Sequence, residues 1–92
     1  MPFGYGPFTF DEAGIGSMMQ SGGVYGLARG YTILYVGKTG NLQERLRAHL
    51  NNPPVSGITH FFAEAINTDA ARTQREYALV QEFKPVGNTQ LK

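Results

Sequence analysis

A small α+β domain, three antiparallel strands flanked by helices in the order β-β-α-β-α, is the architecture this sequence predicts. Three observations lead there. Val-, Tyr- and Ile-rich runs bounded by glycine fill the stretch 23–37, two later stretches place apolar residues at helical spacing, and 92 residues are enough for one core but not two.

The elements follow in order. The N-terminal "FGYGPFTFDEAGIGSMMQSG" is ambiguous: Asp11-Glu12-Ala13 opens one or two helical turns, which Gly14 and Gly16 weaken. We therefore expect residues 1–20 to be an N-terminal extension packed on a domain that spans 21–92. "SGGVYGLARGYTILYVG" reads as two strands, about 23–28 and 31–37, joined by a tight turn at Arg29-Gly30. "NLQERLRAHL" then has Asn41 as a helix N-cap, Glu44 three residues on, and Leu42, Leu46 and Leu50 recurring at helical spacing; Asn51-Asn52-Pro53-Pro54 ends it. The aromatic-rich "GITHFFAEAI" predicts a third strand near 58–66. A second helix opens with Asn67 or Thr68 as cap and Asp69 in its first turn, and runs to about Phe83, where Lys84-Pro85 stops it.

Composition removes several classes of function. The chain has no cysteine, which excludes disulfides, thiol catalysis and thiolate zinc sites, and His49 and His60 are too few for a histidine zinc site. No basic and apolar leader is present and no apolar run approaches a membrane span, so a soluble, cytoplasmic protein is expected. Net charge is only +1, yet residues 29–50 carry Arg29, Lys38, Arg45 and Arg47 against Glu44 alone. An anion is the natural partner for that segment.

"ILYVGKTGN", residues 33–41, sits inside it, and Gly37-Lys38-Thr39 looks like the end of a nucleotide-binding P-loop. The test fails, because the position five before Gly37 is Thr32 rather than glycine, and Ile33-Leu34-Tyr35-Val36 is strand-like. What remains is a strand end, a lysine and a helix start, a setting that favours phosphate of any origin.

The wider pattern resembles a known family. Gly23-Val24-Tyr25, followed by Tyr35-Val36-Gly37, Lys38-Thr39, Asn41-Leu42, Arg45 and His49, is similar to the GIY-YIG nuclease superfamily, with valine in place of isoleucine in both paired motifs. Glu76 on the second helix and Pro85-x-x-Asn88 beyond it continue the likeness across roughly 22–90, and the chain looks like the N-terminal incision domain of UvrC and the small stand-alone bacterial proteins that resemble it. The resemblance implies a DNA endonuclease that hydrolyses phosphodiester bonds by single-strand nicking with one divalent metal, Mg2+ or Mn2+. It implies catalytic roles for Tyr25, Tyr35, Lys38, Arg45, His49 and Glu76, with Glu76 as metal ligand and Gly23, Gly37 and Asn88 positioning the site. Lys38, Arg45 and Arg47 are the candidate DNA contacts, although Arg47 also reads as a solvated helix residue.

The residues support that chemistry on their own terms. Hydrolysis needs a positioned water, a group to take its proton, and positive charge on the phosphate and leaving oxygen. A tyrosine, with a reference pKa near 10, is a poor base at neutral pH unless cations stabilise its phenolate; Lys38 and Arg45 are the cations at hand. Arg45 and His49, four residues apart, share a helix face, from which His49 can bond phosphate or water or tune a tyrosine proton. Glu76 falls on the apolar stripe of its helix with Leu79, Val80 and Phe83, where a carboxylate needs a partner, either a metal or an arginine such as Arg45 or Arg72. DNA is the expected partner, with specificity supplied by a homodimer, a separate targeting protein or a distorted DNA structure. The alternative is a non-catalytic nucleic-acid-binding or adaptor module that retains the fold.

Overall fold

The computed structural model describes residues 5–89; the outermost parts of the segments 1–20 and 21–92, residues 1–4 and 90–92, lie outside the described residues. The elements are β1 (Tyr5–Thr9), α1 (Glu12–Gly16), β2 (Gly23–Arg29), β3 (Thr32–Thr39), α2 (Leu42–Asn51), β4 (His60–Ala65), α3 (Asp69–Phe83) and α4 (Val86–Thr89). The α+β class with an antiparallel sheet holds, but the sheet has four strands rather than three, in the order β1-β4-β2-β3. The extra strand comes from the segment read as ambiguous. Gly6, at φ 127°, and Pro7 break the β pattern there, and the pairing with β4 shifts register between Tyr5 and Phe8. Proline is tolerated because β1 lies at the sheet edge, where its missing N–H leaves no gap in a ladder. No helix among the described residues is long and apolar enough to cross a membrane.

β2 is central and is covered on both faces, so every one of its residues except Arg29 is buried. The two-residue period of a strand sends Tyr25 and Leu27 to one face, where they pack with Ile15, Met18, Leu42, Leu46 and Phe61 beneath α1 and α2. Val24 and Ala28 go to the other face, with Ile33, Val36 and Leu79 beneath α3. Glycine at position 23 is required by close approach, since a Cβ there would lie 1.9 Å from the Glu64 carbonyl oxygen. Opposite, the pairing register shifts between Leu27 and Ala28, so that Tyr35 faces Leu27 and Ile33 faces Ala28. A bulge at Leu34 thus places Tyr35 on the α2 face and Ile33 on the α3 face.

The helix starts obey their caps. Asn41 Oδ1 accepts from the Glu44 N–H (3.0 Å) and Thr68 Oγ1 from the Ala71 N–H (3.2 Å). Lys84 ends α3 in the left-handed region at φ 45°, directly before Pro85. Arg75 pins α3 to the sheet by a two-pronged pair with Glu64, 2.9 Å on each prong. α4 lies against the outer edge of β3. There the Asn88 side chain acts as a short strand: its Oδ1 accepts from the Val36 N–H (2.8 Å) and its Nδ2 donates to the Val36 carbonyl (2.9 Å). Asn88, which the sequence places past the second helix, lies in α4 and bonds β3 at Val36, between Tyr35 and Gly37.

Candidate active site

The register of the sheet builds the pocket. Tyr25 sits opposite Gly37 on β3 and Ala63 on β4, two residues too small to compete for the space over the sheet. Its ring leans over Gly37, where a Cβ would come within 2.4 Å of Tyr25 Oη. The ring is 1 % exposed. Tyr35 stands beside it, with ring centroids 6.4 Å apart, and remains partly exposed.

α2 supplies the next layer. Its capped start orients Leu42 and Leu46 into the core, and Arg45 and His49, one turn apart, face the tyrosines. His49 is buried, with Nε2 2.7 Å from Tyr25 Oη and its ring edge toward Tyr35 at a centroid distance of 5.8 Å. The Arg45 guanidinium lies close enough to Tyr25 to favour its ionised form. In the bond between Tyr25 Oη and His49 Nε2 the donor is set by the His49 tautomer.

The electrostatics follow from burial. Desolvation pushes the Tyr25 phenol up to about 12, against the opposing influence of Arg45. The expectation that neighbouring cations stabilise a phenolate is therefore corrected for Tyr25: Arg45 acts in that direction, but burial outweighs it and the group stays a phenol at neutral pH. Burial first, and the Arg45 charge second, push His49 down from 6.5 to about 4. At neutral pH His49 is thus a neutral imidazole bonded to Tyr25 Oη.

This has a consequence for stability. The unfolded chain takes up the His49 proton more readily than the folded one, so the buried imidazole contributes stability fully present above about pH 6.5 and lost as pH falls toward 4. The gap corresponds to about 3 kcal/mol. The melting temperature should fall over that range, with a shallower slope in His49→Gln, whose amide can still hydrogen-bond Tyr25 Oη; equal slopes in thermal melts from pH 7 to 4 would contradict this.

Glu76, on α3, completes the group from the other side of the sheet. Its charge is felt by Tyr25 and by Lys38. Burial raises its carboxyl above the ordinary value, with Lys38 opposing. Among the described residues it has no hydrogen-bond or ion-pair partner. The arginines expected as its partners lie elsewhere: Arg45 is beside Tyr25, and Arg72 bonds the carbonyls of Ile66 (2.8 Å) and Asn67 (3.1 Å). Lys38 pairs with Asp69 at 3.3 Å. Asp69 was read only as a first-turn acid of the helix, and its contact with β3 depends on how α3 docks. Its spacing of seven residues from Glu76, two helical turns, is the one sequence signal that places it on the same side.

Two expectations fare differently. Arg47 is not brought into the cluster; it lies about 200° round α2 from Arg45 and bonds Glu12 of α1 at 3.3 Å. Three amides at the start of α2 are already taken within the protein, which leaves fewer for an anion than the sequence suggests. The Asn41 N–H donates to Thr39 Oγ1 (3.1 Å), Leu42 to the Ser21 carbonyl (2.9 Å) and Glu44 to Asn41 Oδ1 (3.0 Å). Positive charge at the pocket comes from side chains.

Among the described residues no group of three His, Cys, Asp or Glu side chains is placed to hold an ion. A cation here would rest on one carboxylate and water. That suits magnesium, which takes one or two carboxylates and retains several waters, and an unpartnered, half-buried Glu76 fits the part.

With this geometry in view, the fold can be placed among known proteins. It is the GIY-YIG nuclease fold: an antiparallel sheet flanked by helices, with the paired Tyr-Gly motifs on adjacent strands. The similar structures are of the GIY-YIG N-terminal endonuclease domain of UvrC from Thermotoga maritima. The magnesium-bound form superposes with a TM-score of 0.69 at 21% identity, over 79% of this chain and 89% of that one. An asparagine-to-alanine mutant bound to its catalytic divalent cation gives 0.70 at 21%, over 79% and 88%. A tyrosine-to-phenylalanine mutant, also with the cation, gives 0.71 at 20%, over 79% and 89%. No protein-family model matches the sequence, and no curated protein matches it significantly.

Proposed function

We propose that the protein is a metal-dependent DNA endonuclease that nicks single phosphodiester bonds, with residues 21–92 carrying the chemistry and residues 1–20 packed on them as an addition. The observation that carries this reading is Glu76: a half-buried carboxylate with no hydrogen-bond or ion-pair partner among the described residues, whose charge is felt by Tyr25 and Lys38, in a fold whose solved relatives hold a catalytic divalent cation.

Glu76 would hold Mg2+ or Mn2+, which when bound would supply Lewis acidity to the phosphate and its leaving oxygen. Arg45 is exposed and lies beside Tyr25, with N–H groups left for a phosphate oxygen. Lys38 exchanges its exposed pairing with Asp69 for the DNA backbone. Tyr25 and Tyr35 divide their work by burial. Tyr35, partly exposed, orients the attacking water and, as the phenolate, takes its proton to become the phenol; Tyr25, sealed under the pocket, holds its hydroxyl beside Arg45 and is itself fixed by His49 and by the bare Gly37. Asn88 and Gly23 keep the strand geometry on which both tyrosines depend. DNA in the cytoplasm is the substrate, reached with help from a second copy or a targeting protein, since a net charge of +1 gives little general attraction to a polyanion.

Supercoiled, branched and damaged DNA incubated with the protein should be nicked with magnesium or manganese and left intact with a chelator. Tyr35→Phe should lower kcat by about a hundredfold or more, the scale of a lost acid–base group, and Tyr25→Phe should act mainly on KM through Arg45. DNA binding without cleavage of any substrate would favour the adaptor instead, and full kcat in Tyr35→Phe would refute the division of roles.

A further inference from the structure

Tyr77 follows Glu76 on α3, is 67% exposed, and has no hydrogen-bonded or ring partner among the described residues. A tyrosine ring left in water contributes nothing to the core. Its position round the helix is informative. Helical residues advance 100° each, so Glu76, Asp69, Thr73 and Tyr77 lie about 60°, 80°, 120° and 160° from buried Leu79, all on one side. Arg75, which binds the sheet through Glu64, lies on the other side. The side that carries Tyr77 is the one facing the pocket, because Asp69 pairs with Lys38 of β3 and Glu76 feels the Lys38 charge. Tyr77 is therefore the outermost group of a row that begins at the pocket and rises to solvent.

Building on the nuclease reading above, we propose that Tyr77 is a stacking platform for an unpaired nucleobase next to the bond that is cut. A base inside a duplex has no free face; one out of the stack offers a π-surface that a phenol ring can cover whatever its identity. With so little net charge, backbone attraction is weak, and one stacking contact on the rim is enough to set a preference for distorted DNA over regular duplex.

The test compares a fully paired duplex with the same duplex carrying one unpaired nucleotide, measuring binding in the Glu76→Gln background and KM and kcat in the active protein with magnesium. Tyr77→Ala should weaken binding of the unpaired substrate and raise its KM by about tenfold, the size of one base–aromatic stack, with kcat unchanged and the paired duplex within about twofold. Tyr77→Phe should keep the preference. Tyr31→Ala, at a more exposed tyrosine in the β2–β3 turn, should change neither substrate. Equal losses on both duplexes, or none on the unpaired one, overturn the proposal. A protein that binds neither DNA sinks both readings; one that binds but never cuts sinks only the nuclease, since the binding ratio still judges Tyr77.

Discussion

Glu76→Gln should abolish nicking while leaving the fold intact. A bound divalent cation is worth several kcal/mol of transition-state stabilisation, and each 1.36 kcal/mol is tenfold, so the expected loss is about a thousandfold or more. The fold should not suffer, because the carboxylate makes no hydrogen bond or ion pair that the amide would break among the described residues. Burial raises the Glu76 carboxyl, which means that its ionised form is disfavoured in the folded protein, and a neutral amide of the same shape removes that penalty. The melting temperature should be unchanged or slightly higher. Unimpaired nicking by the variant, measured on supercoiled DNA in single turnover, would contradict the assignment.

Gly37→Ala should damage both stability and activity. Its new methyl would lie 2.4 Å from Tyr25 Oη and 2.5 Å from Tyr25 Cζ. Tyr25 is 1% exposed and is packed among Leu27, Leu42 and Leu46, so its ring has nowhere to retreat. Overpacking of this kind costs about 1–3 kcal/mol, and a domain of this size loses roughly 4–8 °C of melting temperature per kcal/mol. The displaced hydroxyl would carry Arg45 and His49 with it, so nicking should fall even at temperatures where the variant is folded. Gly40→Ala is the comparison, since nothing lies within 4 Å of a Cβ there. A Gly37→Ala protein as stable and active as Gly40→Ala would show that the pocket does not depend on the bare backbone.

Local signals made most of the fold legible. The β2–β3 hairpin, the Asn41 and Thr68 caps and the leucine spacing of α2 are all short-range features, and the structure places them as the residues predict. β1 was hidden because its pairing is with β4, more than fifty residues away, and its own residues include a left-handed glycine and a proline. α4 was hidden by its brevity. In the site, the grouping of Tyr25, Tyr35, Arg45 and His49 was readable from strand pairing and helical spacing. The bond from Tyr25 to His49, the exposed pair of Lys38 with Asp69 and the diversion of Arg72 onto backbone carbonyls were not, since each depends on how a helix is docked. The phenol of Tyr25 is the clearest case. Its neighbours in sequence point to a stabilised phenolate, and only its burial shows the opposite sign.

The central claim is that Glu76 holds a divalent metal in this pocket, and manganese binding tests it without relying on any DNA substrate. Titration followed by calorimetry or by the manganese spin signal should show one ion per wild-type chain, with affinity lowered at least tenfold in Glu76→Gln. Equal binding by the two proteins would place the metal elsewhere and remove the basis of the proposed chemistry.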